Sequence, residues 1–152
     1  MTPTARLQAA IEILDEVIAS ARDDGPPADV IVTRYFKTRR YAGSGDRRAV
    51  RELVFRAIRR SAERPPGGRA AMLGLAQGDP QMLELFGQVR GPAAIVEGEA
   101  ACPAAVVPAW LEPEISALVE SADWPALLER APLANRHSPP VCSSPAPGRT
   151  GT

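Results

Sequence analysis

This chain has little of what a redox or metal centre needs: two cysteines and one histidine among its 152 residues. Cys102 and Cys142 stand far apart in unlike contexts, with no second thiol or imidazole at zinc-ligand spacing, so neither a zinc site nor a structural disulfide is expected. A serine–histidine–aspartate arrangement would have to take its base from His137, which lies in a segment too polar to fold. Long apolar runs are also missing: the longest are a few residues, such as "AAIV" at 93 to 96, against the roughly 20 that a membrane-spanning helix needs. The stretch "MTPTARLQAAIEILDEVIAS" sets Glu12, Asp15 and Glu16 inside its apolar pattern. That placement excludes the charge-free core of a secretory signal, and a cytoplasmic location is the expectation.

Strand-like alternation of apolar and polar residues is absent from residues 1 to 131, which leaves an all-α fold. Composition is that of an ordinary soluble protein, 45% hydrophobic and 24% charged, but sixteen prolines are about twice the usual share. Length allows one domain with a real core.

Thr2-Pro3 opens a first helix, since the hydroxyl can cap free amides and proline is tolerated where no donor is needed. Leu7, Ala10, Ile11, Leu14, Val17 and Ile18 then recur at helical spacing, a single stripe running to about Arg22. "DDGPP" at 23 to 27 breaks it. A second helix is predicted from about Pro27 to Tyr41, with Ala28, Ile31, Tyr35, Thr38 and Ala42 on one side and Gly43 as its stop. Ser44 or Asp46 caps a third, whose stripe is Val50, Leu53, Val54, Ala57 and Ile58. "RAAMLGLAQ" and "QMLELFGQV" supply two more, the latter opened by Asp79-Pro80. Residues 90 to 109 read as looser chain, and "PEISALVES" and "DWPALLERA" as two short amphipathic helices. The whole is a single bundle of about six or seven helices over residues 1 to 134. Residues 135 to 152, "NRHSPPVCSSPAPGRTGT" from Asn135, carry almost no large apolar side chain and read as a disordered tail.

Charge is distributed very unevenly. Residues 34 to 60 hold ten of the eighteen basic residues beside only Asp46 and Glu52, although the formal net charge of the chain is zero. At 100° per residue the third helix sets Arg48, Arg56 and Arg59 opposite its apolar stripe and Arg47, Arg51 and Arg60 on the shoulders; the second helix and its turn add Arg34, Lys37, Arg39 and Arg40. A net charge of about +8 in one helical hairpin repels itself unless a polyanion or neighbouring carboxylates answer it, and a phosphate backbone does so by releasing counterions. Residues 97 to 129 hold Glu97, Glu99, Glu112, Glu114, Glu120, Asp123 and Glu129 and no lysine or arginine. This acidic stretch could fold back and neutralise the hairpin internally, which stays open beside the nucleic-acid reading. Tyr41 and Phe55 fall near the basic faces, where a ring can stack on an unpaired base or close the edge of the core. "GSGDRR" lacks the lysine of a phosphate loop and reads as a helix cap.

The segments "TPTARLQAAIEILDEVIA", "ADVIVTRYFKTRRYAGSGDRRAVRELVFRAIRR", "VPAWL" and "LLERAPL" together resemble the start of bacterial Sun-type (RsmB-like) rRNA methyltransferases over about residues 1 to 133. The resemblance implies a NusB-like helical domain that contacts RNA, ahead of a catalytic domain that methylates cytosine at carbon 5 with S-adenosylmethionine. Within such a domain the charge reading above gives RNA contact, chiefly to phosphates, to Arg34, Lys37, Arg39, Arg40, Arg47, Arg48, Arg51, Arg56, Arg59 and Arg60. The catalytic cysteines and the Gly-rich cofactor turn of that family have no matching position, so no cofactor is expected in this chain. "PVCSSP" around Cys142 lacks the family's preceding strand context and is not carried over. After "ERAPL" the family continues differently, and the proline-, arginine- and serine-rich ending is the expectation for a truncated or frameshifted reading frame. The other partner consistent with the resemblance is a protein, bound through the bundle by a NusB-like adaptor.

Overall fold

The computed structural model describes residues 1 to 115 and 119 to 128 and is all-α. Its helices are α1 (Pro3–Ser20), α2 (Ala28–Lys37), α3 (Ser44–Arg60), α4 (Gly68–Ala76), α5 (Pro80–Leu83) and α6 (Trp124–Leu128), with single 3₁₀ turns at Glu112–Glu114 and Ser121–Asp123. No strand occurs among the described residues, and no helix among them is long and apolar enough to cross a membrane. Residues 135 to 152, with His137 and Cys142, lie outside the described residues.

The first helix is the axis of the bundle: α2, α3 and α4 all pack on α1. Three neighbours demand more than one apolar stripe. Ala9 and Ile13 are accordingly buried along with Leu7, Ala10, Ile11, Leu14 and Ile18, while Val17 sits at the edge. Each large aliphatic buried in this way contributes about 1.5–3 kcal/mol, so α1 holds much of the stabilising free energy. Thr2 caps it through its hydroxyl, which accepts from Ala5 N at 3.2 Å. At the other end Asp24 takes φ 48°, and the Gly25 N–H reaches back to the Ser20 carbonyl at 2.8 Å, closing the helix two residues before the expected Arg22.

The second helix ends at Lys37 and does not reach Tyr41. Residues 38 to 42 form a turn in which Ala42 N–H bonds the Arg39 carbonyl at 3.1 Å and Ala42 itself is buried. In this turn Ala42 joins the same buried core as Ile31 and Tyr35. Gly43 is therefore the N-cap of α3, with φ −69°, and not a C-terminal stop. Asp46 occupies the third helical position and its carboxylate reaches back to Gly43 N at 3.1 Å. The face that α2 buries is Ile31, Val32, Tyr35 and Phe36; Thr38 is exposed.

Close approach of α4 to α1 requires a glycine. A methyl group at Gly68 would overlap the Ile11 carbonyl oxygen and come within 2.8 Å of Asp15 N, and the Asp15 carboxylate accepts from Gly68 N at 2.7 Å. α4 is buried on nearly every side, from Ala71 through Ala76. The predicted helix after Pro80 is a single turn that unwinds through i to i+3 bonds, Leu85 to Met82 and Phe86 to Leu83, into Gly87 at φ +77°. Residues 90 to 109 are irregular, as expected, and two arginines fasten them. Arg69 donates to the carbonyls of Ala93 (3.1 Å) and Ala94 (3.0 Å), pairs with Glu99, and lies over the Phe86 ring. Arg60 donates to the carbonyl of Cys102 at 2.7 Å.

Asp46 also ties the start of α1 to the start of α3, accepting from the N-terminal ammonium at 3.0 Å and from Arg6 at 2.8 to 2.9 Å. The ammonium, then Arg6 and the Gly43 N–H, hold its carboxyl below the usual aspartate range against the opposing effect of desolvation.

Two outcomes follow from this packing. Gly68→Ala should destabilise the protein by about 2 kcal/mol or more through overpacking, whereas Gly78→Ala, where a methyl meets nothing within 4 Å, should change stability by under about 0.5 kcal/mol; urea unfolding of both variants checks the contrast. Because Asp46 has a lowered folded-state value, its contribution is present above the ordinary aspartate pKa and lost as pH falls through the folded one. Asp46→Asn should therefore show a shallower loss of stability than wild type between about pH 5 and pH 2, and an identical slope would remove Asp46 as the titrating group.

Candidate nucleic-acid interface

The ten basic residues of segment 34 to 60 do not form one uniform patch. Three are answered by carboxylates of the bundle itself. Arg34 pairs with Glu16 at 2.5 Å, Arg39 lies 3.5 Å from Glu12, and Arg59 lies 3.3 Å from Glu52. Glu12 and Glu16 are one turn apart on α1, so the acidic edge of α1 faces the basic edge of α2. Arg39 is held further: its guanidinium carbon lies 3.6 Å from the centre of the Tyr35 ring, and Tyr35 in turn donates its hydroxyl to Glu12 at 2.6 Å. Burial, and then the Glu12 carboxylate, push the Tyr35 phenol well above its ordinary range, so it remains the donor in that bond.

A fourth, Arg60, is half-buried and structural, its guanidinium engaged with the Cys102 carbonyl and packed beside Gly74. The remaining six, Lys37, Arg40, Arg47, Arg48, Arg51 and Arg56, are exposed and enter no ion pair among the described residues.

Three of these six converge. α2 packs on α1 and leaves α3 at a distance, so an open groove of about 320 Å³ runs between α2 and α3. Its walls are Val32, Thr33 and Phe36 on one side and Arg47, Arg48 and Arg51 on the other, with no acidic residue in the lining. Each of the flanking arginines is braced. Arg47 donates through Nε to the Ala42 carbonyl at 3.0 Å and lies 5.8 Å from the Phe36 ring centre, and Arg51 lies 5.2 Å from that of Phe55. Bracing by an aromatic face or a carbonyl limits the rotamers of a guanidinium while its other donors remain available, which lowers the entropy lost on meeting an anion. Phe55 is packed against the core below Arg51, the edge-of-core role; Tyr41 is 72% exposed, on the turn beyond α2.

Among the described residues no ion pair joins the acidic stretch after residue 97 to α2 or α3, and none of its acids lines this groove. Glu99 is committed to Arg69, which holds its carboxyl below the usual range. The carboxylates that do answer the hairpin are those of α1 and Glu52, a pairing the sequence showed only as a match between acids four apart on one helix and arginines on the next. No group of three or more histidine, cysteine, aspartate or glutamate side chains placed to hold a metal occurs among the described residues, and Cys102 is buried.

The division between structural and available arginines has a measurable consequence. Arg60→Ala removes a charge-assisted bond to a half-buried carbonyl and should lower stability by about 1–3 kcal/mol; Arg56→Ala, on the open face, should change it by under about 0.5 kcal/mol. Equal unfolding midpoints for the two variants would contradict the assignment.

No protein-family model matches this chain, and no match was found among curated proteins or among solved structures.

Proposed function

We propose that the chain is an RNA-binding helical module of the kind that precedes the catalytic domain in Sun-type rRNA cytosine-C5 methyltransferases. The observation that supports this reading best is the α2–α3 groove, where Arg47, Arg48 and Arg51 converge with no carboxylate in the lining. Three guanidinium groups in an open channel are worth most against a ligand that presents repeated negative charge along its length, and a phosphodiester backbone does so. Lys37, Arg40 and Arg56 extend the positive field on either side and would steer a polyanion toward the groove. Arg34, Arg39, Arg59 and Arg60 are left out of the contact set, because their charges are already engaged within the bundle. The chemistry of methyl transfer belongs to the domain that the family resemblance places downstream, and S-adenosylmethionine would be bound there.

For a contact to about three phosphates, the dissociation constant should rise by roughly two log units per log unit of salt. Each of Arg48→Glu and Arg51→Glu should reduce that slope by about one and weaken binding regardless of sequence, with the thermal midpoint unchanged. Fluorescence anisotropy with a labelled structured RNA over a salt series measures both. Absence of binding, or a slope untouched by the two substitutions, would dispose of the groove as an RNA site; a complex with an acidic protein that survives ribonuclease would reassign it to a protein partner.

A further inference from the structure

A second cleft opens on the other side of the α2–α3 turn, between the first three turns of α1 and residues 35 to 41. It measures about 430 Å³ and includes Gln8, Glu12, Arg39, Tyr41 and Arg90 in its lining. We infer that this cleft receives one unpaired nucleotide of the bound RNA, its base stacked on Tyr41 and its phosphate on Arg90; the inference rests on the RNA reading above.

Tyr41 is the central observation. Its ring is 72% exposed although it sits next to Ala42, which is buried at 2%. The backbone beneath the ring is fixed, since Ala42 N–H bonds Arg39 and the Ala42 carbonyl accepts from Arg47 at 3.0 Å. An aromatic face presented to water from a pinned turn contributes nothing to the core and offers a preorganised stacking surface, which any base can use. The same Arg47 contact links the cleft to the groove. A strand whose phosphates follow Arg47, Arg48 and Arg51 therefore passes the turn that carries Tyr41.

Arg90 completes the site from a distant part of the sequence. It adopts φ +62°, a left-handed conformation that non-glycine residues rarely take. The segment around it is seated on α1, with Thr4 Oγ1 donating to the Val89 carbonyl at 3.3 Å and no room for a side chain at Gly91, where a methyl would come within 2.9 Å of the Leu85 carbonyl oxygen. The charged groups on the lining residues are the Met1 ammonium, which is paired with Asp46 at 3.0 Å, and Glu12, Arg39 and Arg90. Glu12 is already satisfied by Tyr35, Gln8 and Arg39, which leaves Arg90 as the cation available to a phosphate. The volume falls within the roughly 300–1,000 Å³ of ordinary small-ligand sites.

The test compares two labelled RNAs of equal length and charge, one a continuous duplex and one a hairpin with an unpaired flank carrying 2-aminopurine. Wild type should prefer the unpaired RNA by roughly tenfold or more, the worth of one stacked base, and should change the 2-aminopurine emission on binding. Tyr41→Ala should abolish the preference and the emission change while keeping duplex affinity, Tyr41→Phe should retain both, and Arg90→Ala should weaken binding of the unpaired RNA alone. Arg48→Glu with Arg51→Glu should lower both affinities together. If Tyr41→Ala keeps the preference, or wild type has none, the cleft is not a nucleotide site although the groove still binds RNA. If wild type binds neither RNA, the groove and the cleft fall together.

Discussion

The burial of α1 on three sides is the constraint from which the rest of the architecture follows. A helix surrounded by α2, α3 and α4 can leave only narrow edges for polar groups, and each acid on those edges has a definite partner. Asp15 meets the backbone of Gly68, Glu12 and Glu16 meet Arg39 and Arg34, and Gln8 supports Glu12. The exposed pairs among these are worth little individually. They mark which turn of α2 and of α4 faces which turn of α1, a register held by the buried apolar faces.

This arrangement also explains why positive charge accumulates where it does. The acids of α1 face α2 and the turn after it, where they answer Arg34 and Arg39 but not Lys37 or Arg40. α3 packs on α1 and buries Val50, Val54 and Ala57, and among the described residues the one ion pair made by its arginines is Arg59 with Glu52 of the same helix. The groove is thus a consequence of two helices docking separately on a third. A protein with zero net charge can in this way keep a cationic channel, because none of its acids lines the groove.

Much of the fold was legible from periodicity. The stripes of α1 and α3, the Thr2 cap and the Asp79-Pro80 start all depend on local rules, and local rules are visible in one dimension. The end of α2 was not, because residues 38 to 42 are helix-compatible in sequence and yet form a turn that leads into α3. The cluster of basic residues was equally visible, but its partition was not. Whether a guanidinium faces water, a carboxylate or a carbonyl depends on helix rotation and axial register to within one residue, and Arg60 differs from Arg59 by one position while serving an unrelated purpose. Arg90 carried no signal at all, since a left-handed residue in an irregular stretch is set by how that stretch seats on α1.

The stretch from Ala93 to Cys102 joins the bundle mainly through side chains that grip its peptide carbonyls, Arg69 at one end and Arg60 at the other, with Cys102 N–H bonded to Ala70. Several of its apolar side chains, Ile95 and Val96 among them, remain in water. A strap clasped in this manner has few hydrophobic contacts to lose, and such segments open at a lower free energy than the helices beneath them. Its amide protons would exchange with deuterium ahead of those of α1 and α4, and its detachment would uncover the α4 surface without melting the bundle.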